Sequence, residues 1–599
     1  MFNTNAAYQN GKYGISKFNE KTQQYYFVEL GDLITLTDVE EDIETGAIDL
    51  ILEFDYMGST KYVTVPRSKI TDPSFMEFLA SQGGDVTKKN FNTLVDVLRM
   101  QERAFYHNKK FTTKIYHNVG WMYYYETDPV TSKKAKNLCY RSHTLIGAKT
   151  AAEYRGSYAT TPTGSYDVWK AMVEEYVLGH TRLEVALLAG LSGITNGLLA
   201  LDKYRLNPIL HIYGSSGTGK STCGMLATSV YGKAFDSTEY FYNKYNMPEK
   251  KRSFYGSWGA TENAIITSQA GNMGTVSVLN EFGKFLGNNL LQVIYNLSEG
   301  SDKLRLNASI KAQSSDTYRP SFISIGEVSL LEKCKSDLEG ARIRVMELEG
   351  TMTDSDKQAD YIQEISIKNN GHAAPIFAQY ILDNGGLKYV KGIYKKQCDM
   401  LKTYLPNTPS KSRFIDTFPG LFLATAEIAK DALGLEFNIE ALKEFFYDYE
   451  QSVGKNRNTA TTCYDKLLEH FRTNIGNFYR KGESQSPKTP WGKINSCNKV
   501  DDNGRKIVEE YIVYPYKFKE ILHELGYTNH ETAIKELKKI KVLSHEKDRN
   551  TRSRKIDPNG NPVEAYVLNA YASEKADSDD DTPNIPRKKV VTLPKKAGA

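Results

Sequence analysis

Pro208-Ile-Leu-His-Ile-Tyr-Gly-Ser-Ser-Gly-Thr-Gly-Lys-Ser-Thr222 decides how this chain is read. A short apolar run enters G-x-x-x-x-G-K-[ST], and Thr222-Cys-Gly-Met-Leu-Ala-Thr228 then reads as the start of a helix. Strand, glycine-rich turn and helix in that order make a cradle for phosphate. Gly214, Gly217 and Gly219 let the backbone turn tightly with its N–H groups inward, and the helix adds the positive end of its dipole. Gly214, Ser215, Ser216, Gly217, Thr218, Gly219, Lys220, Ser221 and Thr222 are therefore expected to hold ATP. Lys220 is expected to reach the β- and γ-phosphates, and the Ser221 hydroxyl to ligate Mg2+.

A loop of this kind works with a neighbouring strand that ends in acidic residues, one for the metal shell and one to polarise the attacking water. Val276-Ser-Val-Leu-Asn-Glu-Phe-Gly283 fits that description. Glu281 takes the water-activating role. Asn280 stands on the metal side, where an Asp is usual; it can bond a metal-bound water but brings no charge. The next apolar strand is Ser321-Phe-Ile-Ser-Ile-Gly-Glu327, and Ser324 is expected to touch the γ-phosphate. Charge that spreads over a transferred phosphoryl group calls for an Arg. Arg342 and Arg344 follow the Ser324 strand, where a finger from a neighbouring subunit belongs; such a finger would make the active form a ring. Arg413 opens a helix and is expected to reach the phosphate from a lid.

The rest of the composition bounds the answer. The 599 residues are 40% hydrophobic and 25% charged, with a formal net charge of +5. Such a balance fits a multidomain globular chain and decides little about partners. No uninterrupted apolar run suggests a membrane span, and no signal pattern opens the chain, so a cytoplasmic location and no membrane partner are expected. The six cysteines lack C-x-x-C spacing, which points away from a zinc site or a disulfide frame.

Five segments are expected. Residues 1–150 read as an α+β domain, with a hairpin across Asp49–Tyr56 and Lys61–Pro66 and a helix across Asn92–Ala104. The small polar stretch 151–166 reads as a linker. Helices and strands then alternate through 167–450, as in a parallel α/β nucleotide fold. Residues 460–570 run helix, helix, hairpin, the order of a winged helix, and 571–599 read as a disordered charged tail.

Two cationic segments invite nucleic acid. Lys303, Arg305 and Lys311 lie in an alternating stretch between Glu281 and Ser324, where ring helicases carry a hairpin that points a Lys at the phosphodiester backbone. Lys535, Lys538 and Lys539 lie on the polar face of the second winged-helix helix. Arg549, Arg552 and Arg554 populate the wing, alongside Lys547 and Lys555. A helix for the major groove and a basic wing for phosphate suit duplex DNA.

Val63-Thr-Val-Pro-Arg67, Val119-Gly-Trp121, the 210–222 loop, Trp258-Gly-Ala-Thr-Glu-Asn263, Leu279-Asn-Glu281 and Ile325-Gly-Glu327 occur in an order that resembles a P-loop family of phages, plasmids and genomic islands. Leu279-Asn-Glu-Phe-Gly-Lys-Phe285 and Ser412-Arg-Phe414 are similar to the acidic-strand and sensor-2 segments of minichromosome-maintenance helicases. Together they resemble the self-loading helicases of staphylococcal cassette-chromosome elements. That resemblance implies an AAA+ core, a homohexamer, and ATP-driven unwinding of DNA in replication. Single-stranded and forked DNA, and an origin duplex, are the implied partners, with the N-terminal domain as a collar. The rival readings are an ATP-controlled DNA-binding switch or transcription regulator that unwinds nothing, and a packaging or defence ATPase.

Overall fold

The computed structural model describes residues 5–572, apart from short stretches at 109–111, 128–133, 236–240, 246–247, 302–304, 307–311, 314–316, 335–337, 409, 454–458, 482–486, 502–503, 526, 528–529 and 547–548. It forms two compact units, Met1–Asn458 and Thr459–Ala599.

The centre of the first unit is a five-stranded parallel sheet. Its spatial order is Tyr255–Ser257, Val276–Asn280, Ser321–Gly326, Ile209–Tyr213, Val345–Glu349. A parallel sheet is covered on both faces, so its strands read as nearly continuous apolar runs. Ile323 and Ile325 point into a core shared with the helices Thr181–Ala200 and Lys220–Ser229, while Phe322 joins Trp258 and Phe282 on the other side. Thr181–Ala200 is long and apolar enough to cross a membrane by composition, yet nearly all of it is buried in this core. Gly193 lets it lie against the sheet, because a Cβ there would sit 2.1 Å from the Thr275 carbonyl oxygen.

Strand and helix alternation stops earlier than expected. The sheet ends at Glu349, and 356–453 is helical: Asp356–Lys368, Ala373–Asp383, Leu387–Tyr404, Lys411–Thr417, Pro419–Leu433 and Ile439–Val453. The apolar residues of these helices fill the same core as the sheet.

The N-terminal α+β region has its own core around Leu50, Leu52, Phe75, Leu79, Leu94 and Leu98. The expected hairpin is present as Ile48–Tyr56 and Ser59–Pro66, turning at Met57 and Gly58, both with positive φ. The expected helix runs Phe91–His107. The region is sewn into the rest of the unit. Val119–Thr127 pairs with Asn272–Met273, Trp121 Nε1 donates to the Ile194 carbonyl at 2.8 Å, and Tyr140 Oη donates to the Gly274 carbonyl at 3.0 Å. The stretch 151–166 connects without being slack: Glu153–Tyr154 adds to the N-terminal sheet, Tyr158 bridges to Arg252 and Thr163 to Asn370.

The second unit contains the expected helices, Pro515–Glu524 and His530–Lys539, and a wing in which Arg552–Arg554 pairs with Val563–Tyr571. It also holds a hairpin absent from the sequence reading, Gly492–Val500 with Lys506–Val513, which makes Val563–Tyr571 an inner strand. Phe471, Phe518, Ile521, Ile534, Leu537 and Leu568 form its core. Tyr571 closes the last strand, so the segment expected as a tail from 571 has its first residue inside the sheet; residues 573–599 lie outside the described residues.

Candidate functional site

The loop after Ile209–Tyr213 has the geometry its glycines imply. Gly214, Gly217 and Gly219 have φ of 141°, 77° and 79°, and the helix Lys220–Ser229 starts directly behind them. Lys220 is buried and folded back on the loop, its Nζ donating to the carbonyls of Gly214 at 3.0 Å and Ser215 at 2.5 Å. Desolvation pulls its pKa below the usual lysine value. Carbonyl dipoles thus hold the cation where phosphate oxygens would otherwise do so. The loop opens on a cavity of about 570 Å3.

Asn280 and Glu281, at the end of Val276–Asn280, line the same cavity. Glu281 is left-handed, with φ 59°, which turns the chain sharply off the strand. Its carboxylate accepts from Lys284 at 2.5 Å. The turn is braced from beneath. The Trp258 N–H donates to the Asn280 carbonyl at 2.9 Å, and the Trp258 ring packs edge-on against Phe282 at 5.4 Å.

Ser324 is not brought to the cavity. It alternates with Ile323 and Ile325 and so points to the opposite face of the sheet, where it is buried. Trp258 Nε1 donates to Ser324 Oγ at 3.0 Å, and Ser324 Oγ lies 2.9 Å from His211 Nδ1. His211 Nε2 lies 3.0 Å from the Val328 carbonyl, which can only accept. That fixes the tautomer: Nε2 carries the proton and Nδ1 accepts from the serine. Burial pushes the His211 pKa down to about 4, so the ring is neutral. Ser324 is thus a structural link. The polar side chain that the same strand delivers to the cavity is Glu327, which accepts from Ser216 Oγ at 3.2 Å.

The arginines lie elsewhere in the unit. Ile209 pairs with Val345 and Tyr213 with Glu349, so Arg344 stands at the strand-start edge of the sheet and the glycine-rich loop at the strand-end edge. Five residues at ~3.3 Å each separate them by about 16 Å. Arg413 is displaced in the same way: it lines a second cavity, of about 360 Å3, together with Lys203, Arg205 and Arg344. Neither side chain reaches the loop of its own chain, which corrects the expectation that Arg413 serves it as a lid. Arg344 pairs with Glu299 at 2.9 Å and lies over the Tyr295 ring at 4.2 Å. Arg342 lies on the same short helix, Leu338–Arg344, and lines neither cavity.

The two cavities have opposite charge. Among the described residues lining the first, Lys220 faces the carboxylates of Glu281, Glu327, Asp356 and Asp360. In the second, the four cations face Asp416 alone.

Of the expected DNA contacts, Arg305 lies in a two-residue strand, Arg305–Leu306, that pairs antiparallel with Ala312–Gln313. Lys303 and Lys311 lie outside the described residues, as does Lys547. In the second unit Lys535 is exposed, Lys538 donates to Asn550 Oδ1 at 3.0 Å, and Lys539 pairs with Glu536. Arg549 pairs with Glu564 at 2.9 Å, and Arg552 donates to the His545 carbonyl at 3.0 Å. Arg554 donates to the neighbouring Ser553 carbonyl. Glu564 thus offsets the charge of Arg549, whereas Arg552 and Arg554 keep their charge while bonded to carbonyls.

A family model described as a domain of unknown function, DUF927, matches residues 5–316. The chain belongs to the DUF927 family. A second model, described as the Cch helix turn helix domain, matches residues 458–572. No curated protein matches the chain. Among solved structures, one described as "SCCmec type IV Cch - active helicase" shares the fold, with a TM-score of 0.71 and 19% identity over 95% of this chain and 98% of that one. The apo C-terminal region of NrS-1 aligns over 68% of this chain and 90% of its own with a TM-score of 0.22 and 11% identity, too slight a likeness to argue from. The likeness to cassette-chromosome helicases expected from the sequence thus holds at the level of fold.

Four residues of this DUF927 chain that line one cavity with the glycine-rich loop escaped the sequence reading: Glu327, Asp356, Asp360 and Gln363. The last three were detectable as a stripe at i, i+4 and i+7 on one helix, but nothing local ties that stripe to the loop more than 130 residues earlier.

Proposed function

We propose that the protein is an ATP-dependent DNA helicase with an AAA+ core, translocating on single-stranded DNA as a homohexameric ring. The observation that carries the reading is the convergence of Lys220 and Glu281 on one cavity. The parallel strand order, with the loop after Ile209–Tyr213 and the acidic turn two strands away, supports the AAA+ assignment.

In this reading the loop amides and Lys220 bind the triphosphate, and Lys220 exchanges its carbonyl partners for phosphate oxygens. Glu281, released from Lys284, takes a proton from the attacking water. The Ser221 hydroxyl and the Asn280 amide oxygen are hard oxygen donors that suit Mg2+, which keeps most of its ligands as water and phosphate. Mg2+ bound there would screen charge on the β- and γ-phosphates.

The charge of the two cavities supports a ring. An electronegative pocket that must also take a triphosphate needs cations from outside its own chain. Arg344 and Arg413 cannot reach their own loop, and they line an electropositive pocket on the opposite edge of the sheet. A heterologous, head-to-tail contact between the two edges closes into a ring. The cationic segment expected to carry Lys303, Arg305 and Lys311 would then follow the strand in the channel, and the winged helix would assist loading on the duplex.

Strand displacement on forks with 3′ and 5′ single-stranded tails tests the reading. ATP-dependent unwinding of one polarity, lost in Lys220→Ala, is expected. Hydrolysis indifferent to DNA, with no unwinding of either fork, would favour the switch reading instead.

A further inference from the structure

The cavity wall opposite the phosphate loop is built from the helix Asp356–Lys368. Asp356, Asp360 and Gln363 face the cavity from it, at i, i+4 and i+7. Gln363 fixes the wall in place: its Nε2 donates to Thr222 Oγ1 at 2.8 Å. Thr222 is the third residue of the helix behind the loop, on the side where a P-loop holds the α-phosphate. Glu327 marks the other side through Ser216, near Asn280 and Glu281. The cavity therefore has a hydrolytic end at Glu281 and Glu327, and a second end at Thr222 and Gln363 from which the nucleoside extends.

Asp356 has a local reason to be acidic. It opens the helix behind the Ser355 cap, where the dipole favours a carboxylate. Asp360 has none. It sits a full turn further in, exposed, and forms no ion pair or hydrogen bond with the described residues. Two carboxylates four residues apart also repel each other along the helix. Beside a triphosphate such groups are unfavourable unless they meet donors. A carboxylate can only accept, and phosphates at this pH offer only acceptors. The donors closest to the α-phosphate of a ribonucleotide are the ribose hydroxyls.

We propose that Asp360, on the wall held by Gln363, accepts hydrogen bonds from the ribose hydroxyls of the bound nucleotide and makes the site selective for ribonucleotides over deoxyribonucleotides. The proposal rests on the reading of the cavity as an ATP site. Asp360 acts in binding and not in the chemical step. A hydrogen bond from a hydroxyl to a carboxylate is charge-assisted, so its loss is felt strongly.

Calorimetric titration of the full-length protein with ADP, 2′-deoxy-ADP and 3′-deoxy-ADP, each with Mg2+, tests this. The wild type is expected to bind ADP about tenfold more tightly than at least one deoxy form. Asp360→Ala should bring the three within about twofold, by weakening ADP and any deoxy form that keeps the hydroxyl bonded to Asp360, and Asp360→Asn, which keeps an acceptor, should fall between. A wild type that treats all three alike would overturn the proposal. So would an Asp360→Ala protein that weakens all three equally, or one that changes only the Mg2+ requirement. Lys220→Ala separates the two readings: if it leaves ADP affinity untouched, the ATP-site reading itself fails, whatever Asp360 does.

Discussion

Glu281 Oε2 and Lys284 Nζ stand 2.5 Å apart across one short turn, beside the cavity that holds Lys220. Both side chains are about half exposed, 48% and 61%, so the pair contributes at most ~1 kcal/mol to stability. Its effect is on orientation. The left-handed backbone at Glu281 turns the chain off the strand, and Lys284 holds the carboxylate; in the proposed mechanism that contact would keep it from the attacking water.

Lys284→Ala should therefore raise hydrolysis in the absence of DNA by a few fold, with a melting temperature close to wild type. Glu281→Gln should lower turnover by about 100-fold or more while ADP still binds, since a missing general base removes that much rate. Steady-state ATPase assays with and without single-stranded DNA read both. If Lys284→Ala slows hydrolysis as severely as Glu281→Gln, the lysine belongs to the catalytic machinery and does not restrain it.

Ser324→Ala should act on stability and not on chemistry. The substitution strands the Trp258 indole Nε1–H and His211 Nδ1 in the core, at about 1–3 kcal/mol for each buried group left unpaired. Chemical denaturation should detect the loss, whereas turnover per folded molecule should change little. A large fall in turnover with an unchanged denaturation midpoint would restore Ser324 to the nucleotide.

The same network makes stability depend on pH. The His211 pKa is depressed to about 4 in the fold against about 6.5 unfolded, so between those values the unfolded chain binds the extra proton. The contribution is complete above about pH 6.5 and is lost as pH falls toward 4. The slope approaches 1.4 kcal/mol per pH unit within that window. Urea midpoints at pH 7.5, 6 and 5 should fall in the wild type and fall less in His211→Gln. Equal slopes in the two proteins would place the titration elsewhere.

What could be read from the sequence was local. Strand, glycine turn and helix lie within fifteen residues, and Glu281 ends an apolar run, so both stand where the residues predict. Ser324 was misread because its role depends on which sheet face it takes. Side chains alternate with period two, and no residue of Ser321–Gly326 reveals which layer lies above it. Arg413 was misread because its distance from the loop is set by helices that pack onto the sheet from far along the chain. The hairpin at Gly492–Val500 and Lys506–Val513 escaped because its first strand, Gly-Lys-Ile-Asn-Ser-Cys-Asn-Lys-Val, is largely polar and gains stability from pairing, not from its own pattern.

The separation of Arg344 from the loop of its own chain by a full strand makes complementation a direct test of the ring. Arg344→Ala and Lys220→Ala should each be nearly inactive alone. Mixed, they should recover part of the wild-type ATPase, because some interfaces then pair an intact loop with an intact arginine. Arg413→Ala should behave like Arg344→Ala in the same mixture. Failure of every mixture to exceed the single variants would remove both arginines from the neighbour's site.

In the second unit the balance of charge on the wing sets the expected DNA affinity. Arg549 is neutralised by Glu564, which also accepts from Thr551, and those contacts hold the Glu564 pKa below its usual value. Lys535 is exposed on the helix His530–Lys539, with no hydrogen bond or ion pair among the described residues. Glu564→Gln should therefore strengthen binding to duplex DNA by freeing Arg549, and steepen its salt dependence by about one unit of slope; Lys535→Ala should weaken binding and reduce the slope by about one. Fluorescence anisotropy on a labelled duplex across a salt series measures both. The two variants lie on different elements of the fold, helix and wing. If only Lys535→Ala moves the slope, the duplex meets the helix alone. If neither does, the winged helix contacts protein and not DNA.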